Sequence, residues 1–234
     1  VRTTVVYFFS TFKIISTLII AKIHQSQSIP YIRKGLCYNS NKIGLKDWLP
    51  LKKELTYSST LKTRPYFYME TRKLAHYWLQ GLNKEELLEK VMVDNILQFQ
   101  TDRRKREVFT TIMKRLEQLD DELLHHLVNS DTETSKLLVL YSILKTDRLF
   151  FEFMNEVYKE KIHLLDMSLT NRDFFNFFEA KRQQSEKVAS WKDYTFYKLQ
   201  QVYIRILYEA GLLKTQKEPR ELQVGMLNYT VKEH

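Results

Sequence analysis

The sequence predicts a mainly α-helical protein: a compact multi-helix globular fold with helix-turn-helix elements and a short carboxy-terminal β-wing. The chain of 234 residues contains only 5 Gly and 4 Pro, the residues that most disfavour helix interiors. From Tyr66 onward, apolar residues recur three and four positions apart, a spacing that places them on one face of a helix. With 44% hydrophobic residues, the chain can bury one sizeable core or two small ones.

We divide the chain into an amino-terminal extension (residues 1–56), a helical body (57–180) and a carboxy-terminal region similar to a winged helix-turn-helix (181–234). The net charge of +9 is concentrated in the extension, which carries 9 Lys and Arg against 2 Asp and Glu. The body has 18 Lys and Arg against 20 Asp and Glu, and the carboxy-terminal region has 10 Lys and Arg against 6 Asp and Glu. The overall charge therefore does not by itself indicate nucleic-acid binding by the folded part.

The extension contains an apolar run at residues 5–21, VVYFFSTFKIISTLIIA, whose length is near the lower limit for a transmembrane helix. A basic stretch without sustained periodicity follows it and is typical of a linker. Three interpretations of the extension remain open: a membrane anchor or signal, a buried element of the core, or sequence outside the natural protein. The first residue, Val1 rather than Met, favours the third interpretation.

Two helices separated by a tight turn are predicted at the start of the body. Pro65, two residues after Thr63, suits the first turn of a helix that runs to Gly81. Asn83, with Glu86 three residues later, has the capping-box pattern of a second helix start. The pair is a helix-turn-helix candidate, although any helical hairpin has this pattern.

A basic cluster lies at the start of the helix that Thr101 opens, and its members are Arg103, Arg104, Lys105 and Arg106. The helix macrodipole disfavours cations at this end. An external anion is therefore expected to offset the cluster, and DNA phosphate is the obvious one. The alternative is a solvated charged turn that Asp102 and Glu107 partly neutralise.

Further amphipathic helices are predicted over residues 121–129, 131–145 and 148–162, and over residues 171–184 with Thr170 or Asn171 as the cap. Phe150 and Phe153 share one face of the third of these helices, with Met154 and Val157 beside them. These side chains are expected to pack in the core rather than to hold a cofactor.

The sequence contains no pattern of a catalytic or cofactor site: no phosphate-binding loop, dinucleotide fingerprint, HExxH or Gly-x-Ser-x-Gly elbow. A single cysteine, Cys37, excludes an intramolecular disulfide framework and is typical of a reducing intracellular compartment. His125 and His126 are adjacent, so they point to different faces of a helix and do not form the usual i, i+4 metal pair. We therefore expect no enzymatic activity, no cofactor and no metal.

The helix within residues 193–213 carries two opposed stripes. Apolar residues at helical spacing predict a buried stripe of Leu199, Val202, Tyr203, Ile206 and Ala210. The opposite stripe has no acidic residue and consists of Tyr194, Tyr197, Lys198, Gln201, Arg205 and Tyr208. Its polar groups and rings are of the kinds that contact phosphates and base edges.

The residues after this helix have the order of a winged helix-turn-helix, in which the second helix of the motif enters the major groove. Gly211 suits a left-handed helix end, a basic loop contains Lys214, Lys217 and Arg220, and strand-like residues extend from Leu222 to Val231. The alternative is a terminal helix packed on the bundle, with a frayed tail. The candidate DNA-contacting residues are Arg103, Arg104, Lys105, Arg106, Tyr194, Thr195, Tyr197, Lys198, Gln201, Arg205, Lys214 and Lys217.

Four segments of the chain resemble, in order, the BrxA family of bacteriophage-exclusion (BREX) systems. They are TRPYFYMETRKLAHYWLQGLNKEEL, VDNILQFQTDRRKREVFTTIMKRLEQL, SKLLVLYSILKTDRLFFEFMNEVYKEKI and WKDYTFYKLQQVYIRILYEAGLL, which fall between residues 57 and 213. The most specific features are Glu70, Asn95, Arg115-Leu116, Phe153-Met154 with Glu156, Trp191 to Thr195, and Ala210 to Leu213. The first 50 or so residues of the chain depart from the pattern of this family.

The resemblance implies a cytoplasmic, all-helical, non-enzymatic protein that binds double-stranded DNA through helix-turn-helix elements. It also implies a place in a multi-gene defence system that marks host DNA by methylation and blocks phage replication. A DNA-binding accessory component, expected to be a monomer, is our first functional hypothesis.

Two other functional hypotheses remain open. In one, the protein is an adaptor whose Tyr197 and Tyr208 dock a partner such as the methyltransferase of the system, since Tyr is also enriched in interaction hot spots. In the other, residues 5–21 anchor the protein in a membrane.

Overall fold

A computed structural model of the chain describes residues 55–223. Several sequence predictions lie outside these residues: the apolar run at 5–21, Cys37 and the strand-like residues after Gln223. The division between a body and a carboxy-terminal region remains a prediction. Among the described residues the protein is mainly helical with a small antiparallel sheet, which confirms the predicted fold class.

The first part of the described chain is a group of packed helices. A 3₁₀ turn (Thr60–Thr63) precedes α1 (Tyr68–Leu79), α2 (Lys84–Met92), α3 (Asp102–Leu116), α4 (Asp121–Asn129) and α5 (Thr132–Leu144). Helix α1 contacts α3, α4 and α5, and α2 packs on α3. The helical hairpin predicted at the start of the body is therefore present as α1 and α2.

Capping residues set several of these helix boundaries, as predicted. Asn83 and Glu86 form a complete capping box at α2, and the Thr101 side chain accepts a hydrogen bond from the Arg104 amide at the start of α3. Gly81, just after α1, has a φ of 92°, a conformation that costs little only for glycine. The tight turn between α1 and α2 therefore depends on this glycine.

The predicted start of α1 at Pro65 was wrong, because the helix begins at Tyr68. Phe67, the N-cap residue, has a left-handed backbone with a φ of 54°, which interrupts any helix through Pro65. The buried guanidinium of Arg115, on α3, donates hydrogen bonds of 3.0–3.1 Å to the carbonyl oxygens of residues 64–66. These carbonyl groups are thus satisfied from another helix and not by a helical turn.

The second part of the described chain contains helices and short strands. Helix α6 (Arg148–Phe153) continues through a π-helical turn (Met154–Tyr158) into α7 (Lys159–His163). Strand β1 (Ser168–Leu169), α8 (Asn171–Gln184), the short α9 (Glu186–Ala189), α10 (Asp193–Glu209) and β2 (Arg220–Glu221) follow. The bounds of α8 match the segment predicted from the Thr170 cap, which forms a capping box with Asp173.

The small sheet differs from the predicted wing. Strand β2 pairs with β1, which lies before α8 and was not predicted, in the register Ser168↔Glu221 and Leu169↔Arg220. On the other side of β2, Leu213 forms an antiparallel bridge with Leu222. Strand β2 therefore lies between β1 and the segment around Leu213. Residues 215–219 form the loop that connects this segment, which follows α10, to β2.

Aromatic side chains form the core of this second part. The rings of Phe153 and Phe174 stack with centroids 4.9 Å apart, and Phe150 meets Tyr203 edge-on at 4.7 Å. All four residues are fully buried. The prediction that the aromatic residues of segment 148–162 are core residues is therefore confirmed for Phe150 and Phe153.

Candidate nucleic-acid interface

Helix α10 has a buried face and an exposed face, as its sequence predicts. Leu199, Tyr203 and Ile206 are completely buried, whereas Tyr194 and Tyr197 are 66% and 54% exposed. Gln201 and Arg205 are also exposed, and Lys198 is partly exposed. The predicted stripes are thus confirmed, except that Val202 is only partly buried.

Thr195 does not lie on the exposed face of α10, although it was among the candidate contact residues. Its side chain is 9% exposed, because it stands four residues before Leu199 on the buried stripe. Phe196 beside it is also buried and packs against the ring of Trp191 at 5.8 Å. The structure therefore assigns Thr195 to packing.

Four exposed or partly exposed side chains in the first half of α10 contact one another. We call Tyr194, Tyr197, Lys198 and Gln201 the tyrosine cluster. The Lys198 ammonium lies 5.4 Å and 5.7 Å from the centroids of the Tyr194 and Tyr197 rings, and it donates a hydrogen bond of 3.2 Å to Gln201 Oε1. Gln201 Nε2 in turn donates to the Tyr197 hydroxyl at 2.7 Å. The cluster is thus held together before any ligand arrives.

The second half of α10 has less free charge than its sequence indicates. Arg205 Nε lies 2.5 Å from Glu209 Oε1, one helical turn away. The expectation of a stripe without acidic residues was therefore wrong at this end, because the i, i+4 spacing brings Glu209 onto Arg205. At the other end, Asp193 is paired with Arg182 of α8.

The basic loop after α10 also contains an ion pair. Lys214 is paired with Glu221 of β2, so its charge is partly neutralised. Lys217 is exposed in the loop between residues 215 and 219. Glu218 accepts hydrogen bonds from Asn171 at the start of α8 and lies 3.3 Å from Arg220. Of the two predicted loop contacts, Lys217 is the one without an ion pair in the described structure.

The basic cluster at the start of α3 is split between packing and solvent. Lys105 is 9% exposed, and its Nζ atom donates to the Met92 carbonyl oxygen at 3.1 Å. Arg104 donates to the Thr63 carbonyl oxygen at 3.2 Å and lies over the ring of Phe67. The expectation of four externally directed cations was therefore wrong for Lys105 and in part for Arg104, because tertiary contacts occupy both.

The remaining two cations of this cluster point to solvent. Arg103 forms an i, i+4 ion pair of 3.1 Å with Glu107, and Arg106 is exposed. The hydrogen bond from Arg103 holds the pKa of the Glu107 carboxyl below its ordinary value. The predicted neutralisation of this turn by Glu107 is thus present in the structure.

Sequence reasoning missed two lysines next to α10. Lys187 on α9 and Lys192, the N-cap residue of α10, are both exposed, with no ion pair among the described residues. The Lys192 side chain forms no capping hydrogen bond, so it does not cover the first amide groups of α10. Both lysines could have been identified from the sequence by their position in the turn before a helix, where phosphate contacts are common.

Neither a metal site nor a membrane-spanning helix is found among the described residues. No group of three or more His, Cys, Asp or Glu side chains is arranged to hold a metal within 55–223. In the same part of the chain, no helix is long and apolar enough to cross a membrane. His125 is exposed, whereas His126 is partly buried and forms a hydrogen bond with Ser130, which agrees with the prediction that the two side chains point to different faces of their helix.

Comparison with known proteins identifies the family. The sequence profile of the BrxA family matches residues 55–234. A curated protein of Bacillus cereus (strain H3081.97), "BREX protein BrxA", is 53% identical over 182 residues, which cover 78% of this chain and 91% of that protein. A protein of the same name from Paramagnetospirillum magneticum (strain ATCC 700264 / AMB-1) is 23% identical over 151 residues, or 64% of this chain and 76% of that protein.

A solved structure has the same fold. The crystal structure of an uncharacterized protein from Magnetospirillum magneticum superposes with a TM-score of 0.62 at 23% sequence identity, covering 72% of this chain and 86% of that chain. The match of the family profile and the 53% identical relative together show that this chain belongs to the BrxA family and is a component of a BREX system.

Proposed function

We propose that this BREX component binds double-stranded DNA without catalysing a reaction, with α10 as the helix that enters the major groove. Membership of a BREX system implies a role in defence against phages. The observation that carries the proposal is the exposed stripe at the start of α10, with the unpaired Lys187 and Lys192 beside it. An α-helix fits the major groove, which is about 12 Å wide.

The arrangement around α10 supports this proposal. Helix α8, the turn with α9, helix α10, the bridge at Leu213, the loop and β2 follow one another in the order of a winged helix-turn-helix. In such proteins the start of the second helix of the motif contacts base edges, while the flanking turn contacts the backbone. The tyrosine cluster would then face the bases, and Lys187, Lys192 and Lys217 would face phosphates.

Salt dependence of binding tests the proposal. Each phosphate neutralised on duplex DNA contributes about −0.9 to the slope of log affinity against log salt concentration. We expect the double variant Lys187→Ala/Lys192→Ala to bind a 30-bp duplex more weakly and to reduce the magnitude of the slope by about 1.8. Fluorescence anisotropy at several salt concentrations measures both quantities.

A charge-matched variant is the control for this experiment. Lys84→Ala/Lys114→Ala removes the same net charge from α2 and α3. We expect it to leave the slope within about 0.5 of wild type, since the loss of distant charge weakens binding only through the overall field. Absence of duplex binding at low salt, or equal slopes for the two double variants, would overturn the proposal.

An adaptor function is the second candidate, and a cleft at the other end of α10 favours it. The cleft, about 690 Å³ in volume, is lined by the start of α1, Lys136 on α5, the end of α10 and Gln223. Met69 and Tyr208, which line it, are 69% and 43% exposed, and the buried hydroxyl of Tyr68 has no hydrogen-bond partner among residues 55–223. A partner protein, such as another BREX component, could bury these groups.

A pull-down from cells that carry the intact defence locus separates the two candidates. If the protein is an adaptor, partners should persist after nuclease treatment and be lost from Met69→Lys/Tyr208→Ala. Tyr194→Ala, at the other end of α10, is the control that should retain them. Partners that disappear with nuclease would be bridged by DNA and would exclude the adaptor function at this cleft.

A further inference from the structure

We propose that the tyrosine cluster reads A·T base pairs in the major groove, by contacting thymine methyl groups and the adenine edge. This inference rests on the proposed function and specifies the DNA that α10 prefers. Its elements are two exposed tyrosine rings, an amide with fixed orientation, and the lack of a free arginine in the part of α10 that would lie deepest in the groove.

The described structure offers no free arginine at the start of α10 to recognise guanine, because Arg182 of α8 is paired with Asp193 and lies over the ring of Phe196. Bidentate contact of Arg or Lys with O6 and N7 is the most common way in which proteins recognise that base. Residues 193–204 contain no Arg, and Arg205 further along is engaged by Glu209 at 2.5 Å. The remaining cation, Lys198, is directed to Gln201 and to the two rings. The exposed side chains of α10 thus disfavour recognition of G·C pairs.

The two exposed rings suit thymine. Thymine is the base whose major-groove edge carries a methyl group, and proteins recognise this group by apolar contact. The centroids of the Tyr194 and Tyr197 rings are 6.4 Å apart, close to two base steps of about 3.4 Å each. Each ring is more than half exposed. The pair can therefore contact methyl groups at two positions along one strand.

The amide of Gln201 suits adenine. Gln pairs with this base in a bidentate manner, donating to N7 and accepting from the N6 amino group. In the structure one amide hydrogen is used by the Tyr197 hydroxyl and one lone pair of Oε1 by Lys198. One hydrogen and one lone pair remain, which is the pair of groups that adenine requires. The internal bonds orient this amide before DNA arrives and so reduce the entropy lost on binding.

Base analogues test this inference directly. We would measure binding of the full-length protein to 20-bp alternating duplexes that contain A·T, A·U, G·C or inosine·C pairs. Uracil lacks the thymine methyl group but keeps the pairing edge, so loss of the two methyl contacts should weaken binding about fifteenfold, at about fourfold for each contact. Inosine keeps the major-groove edge of guanine but lacks its minor-groove amino group.

The expected order of affinity is A·T, then A·U, then G·C together with inosine·C. In Tyr194→Ala/Tyr197→Ala the difference between A·T and A·U should disappear, and in Gln201→Ala the preference for A·U over G·C should shrink about tenfold or more. Phe175→Ala, which removes an exposed ring from α8, should retain both preferences.

Two outcomes would overturn the inference and can be told apart. Equal binding of all four duplexes would overturn the A·T readout and leave DNA binding intact. Inosine·C duplexes that bind like A·T would show that minor-groove shape determines the preference and would also overturn it. If no duplex is bound at all, the proposed function itself fails.

Discussion

Basic residues lie in the first turn of α3 and just before the start of α10, yet the fold uses their charges differently. The cations of α3 largely serve the structure, since Lys105 and Arg115 are buried and donate to backbone carbonyl groups of neighbouring segments. The cations near the start of α10 lie in or beside exposed surface. The number of Lys and Arg residues in a segment therefore does not show how many of them are accessible to a ligand. The tertiary structure decides which of these charges are exposed.

The largest expected effect concerns Arg115, the most buried cation of α3. Arg115→Met retains most of the side-chain volume but leaves the carbonyl groups of residues 64–66 without their donors. Loss of buried charged hydrogen bonds should lower the free energy of unfolding by about 3–5 kcal/mol. Urea unfolding followed by circular dichroism measures this loss. Lys114→Met, the exposed neighbour on α3, is the control, and a loss below about 1 kcal/mol would contradict the structural role.

The second prediction concerns Asp147, whose buried carboxyl caps α6 through the Phe150 amide at 2.9 Å. Burial raises the pKa of Asp147 to about 6, against the opposing effect of Arg115, so the folded state binds its proton more tightly than the unfolded chain. Its contribution to stability should therefore decrease as the pH rises from about 4 through 6. Relative to Asp147→Asn, which can still cap, wild type should lose about 1–3 kcal/mol over this range.

The pH effect is measured as the difference between the unfolding free energies of wild type and Asp147→Asn at pH values from 4 to 7. Asp120→Asn, at the exposed N-cap of α4, controls for the change of capping residue. A difference that stays constant with pH would show that Asp147 does not titrate in this window.

The third prediction separates stability from DNA binding at Lys105. Lys105→Met removes the donor to the Met92 carbonyl oxygen and should cost about 1–3 kcal/mol of stability. DNA affinity at a temperature where the variant is folded should equal that of wild type. Arg106→Met, at an exposed position, is the matched control for both measurements. Weaker DNA binding with unchanged stability would instead place Lys105 in the interface.

The smallest effect is expected for the two solvent-directed cations of α3. Arg103→Ala/Arg106→Ala should change the unfolding free energy by less than about 0.5 kcal/mol, because exposed ion pairs contribute little. The salt dependence of DNA binding should also change less than in Lys187→Ala/Lys192→Ala. If the slope of log affinity against log salt concentration also falls by about 1.8 in Arg103→Ala/Arg106→Ala, the start of α3 belongs to the interface and the contrast with α10 disappears.

Much of the fold could be predicted because its signals are local. Asn83, Thr101 and Thr170 cap helices where the sequence places them, and Gly81 and Gly211 adopt positive φ values after α1 and α10. Caps depend on residues within one turn of each other, so the sequence alone contains the information. The two faces of α10 follow from the same kind of regularity.

The sequence predictions were mostly wrong where residues distant in sequence determine the local structure. Pro65 does not start a helix because Arg115, about fifty positions away, binds the carbonyl groups of that segment. Strand β1 was not predicted because two residues are too few for a periodic pattern, and it exists through its pairing with β2. Among the candidate contact residues, Lys105 is buried by neighbours that no local pattern shows, whereas the burial of Thr195 agrees with its i, i+4 spacing to Leu199 on the buried stripe.

The π-helical turn at Met154–Tyr158 makes the small sheet depend on the length of a helix far from it in sequence. The hydroxyl of Tyr158 donates to the carbonyl oxygen of Gln223 at 2.6 Å, next to β2. A π-turn holds one more residue than an α-turn. Conversion of this turn to regular α-helix without a change in length would rotate the residues on one side of it by about 100° relative to the other side. Tyr158 would then turn away from the strand, so substitutions that favour regular α-helical hydrogen bonding in this turn should detach the helix from the sheet.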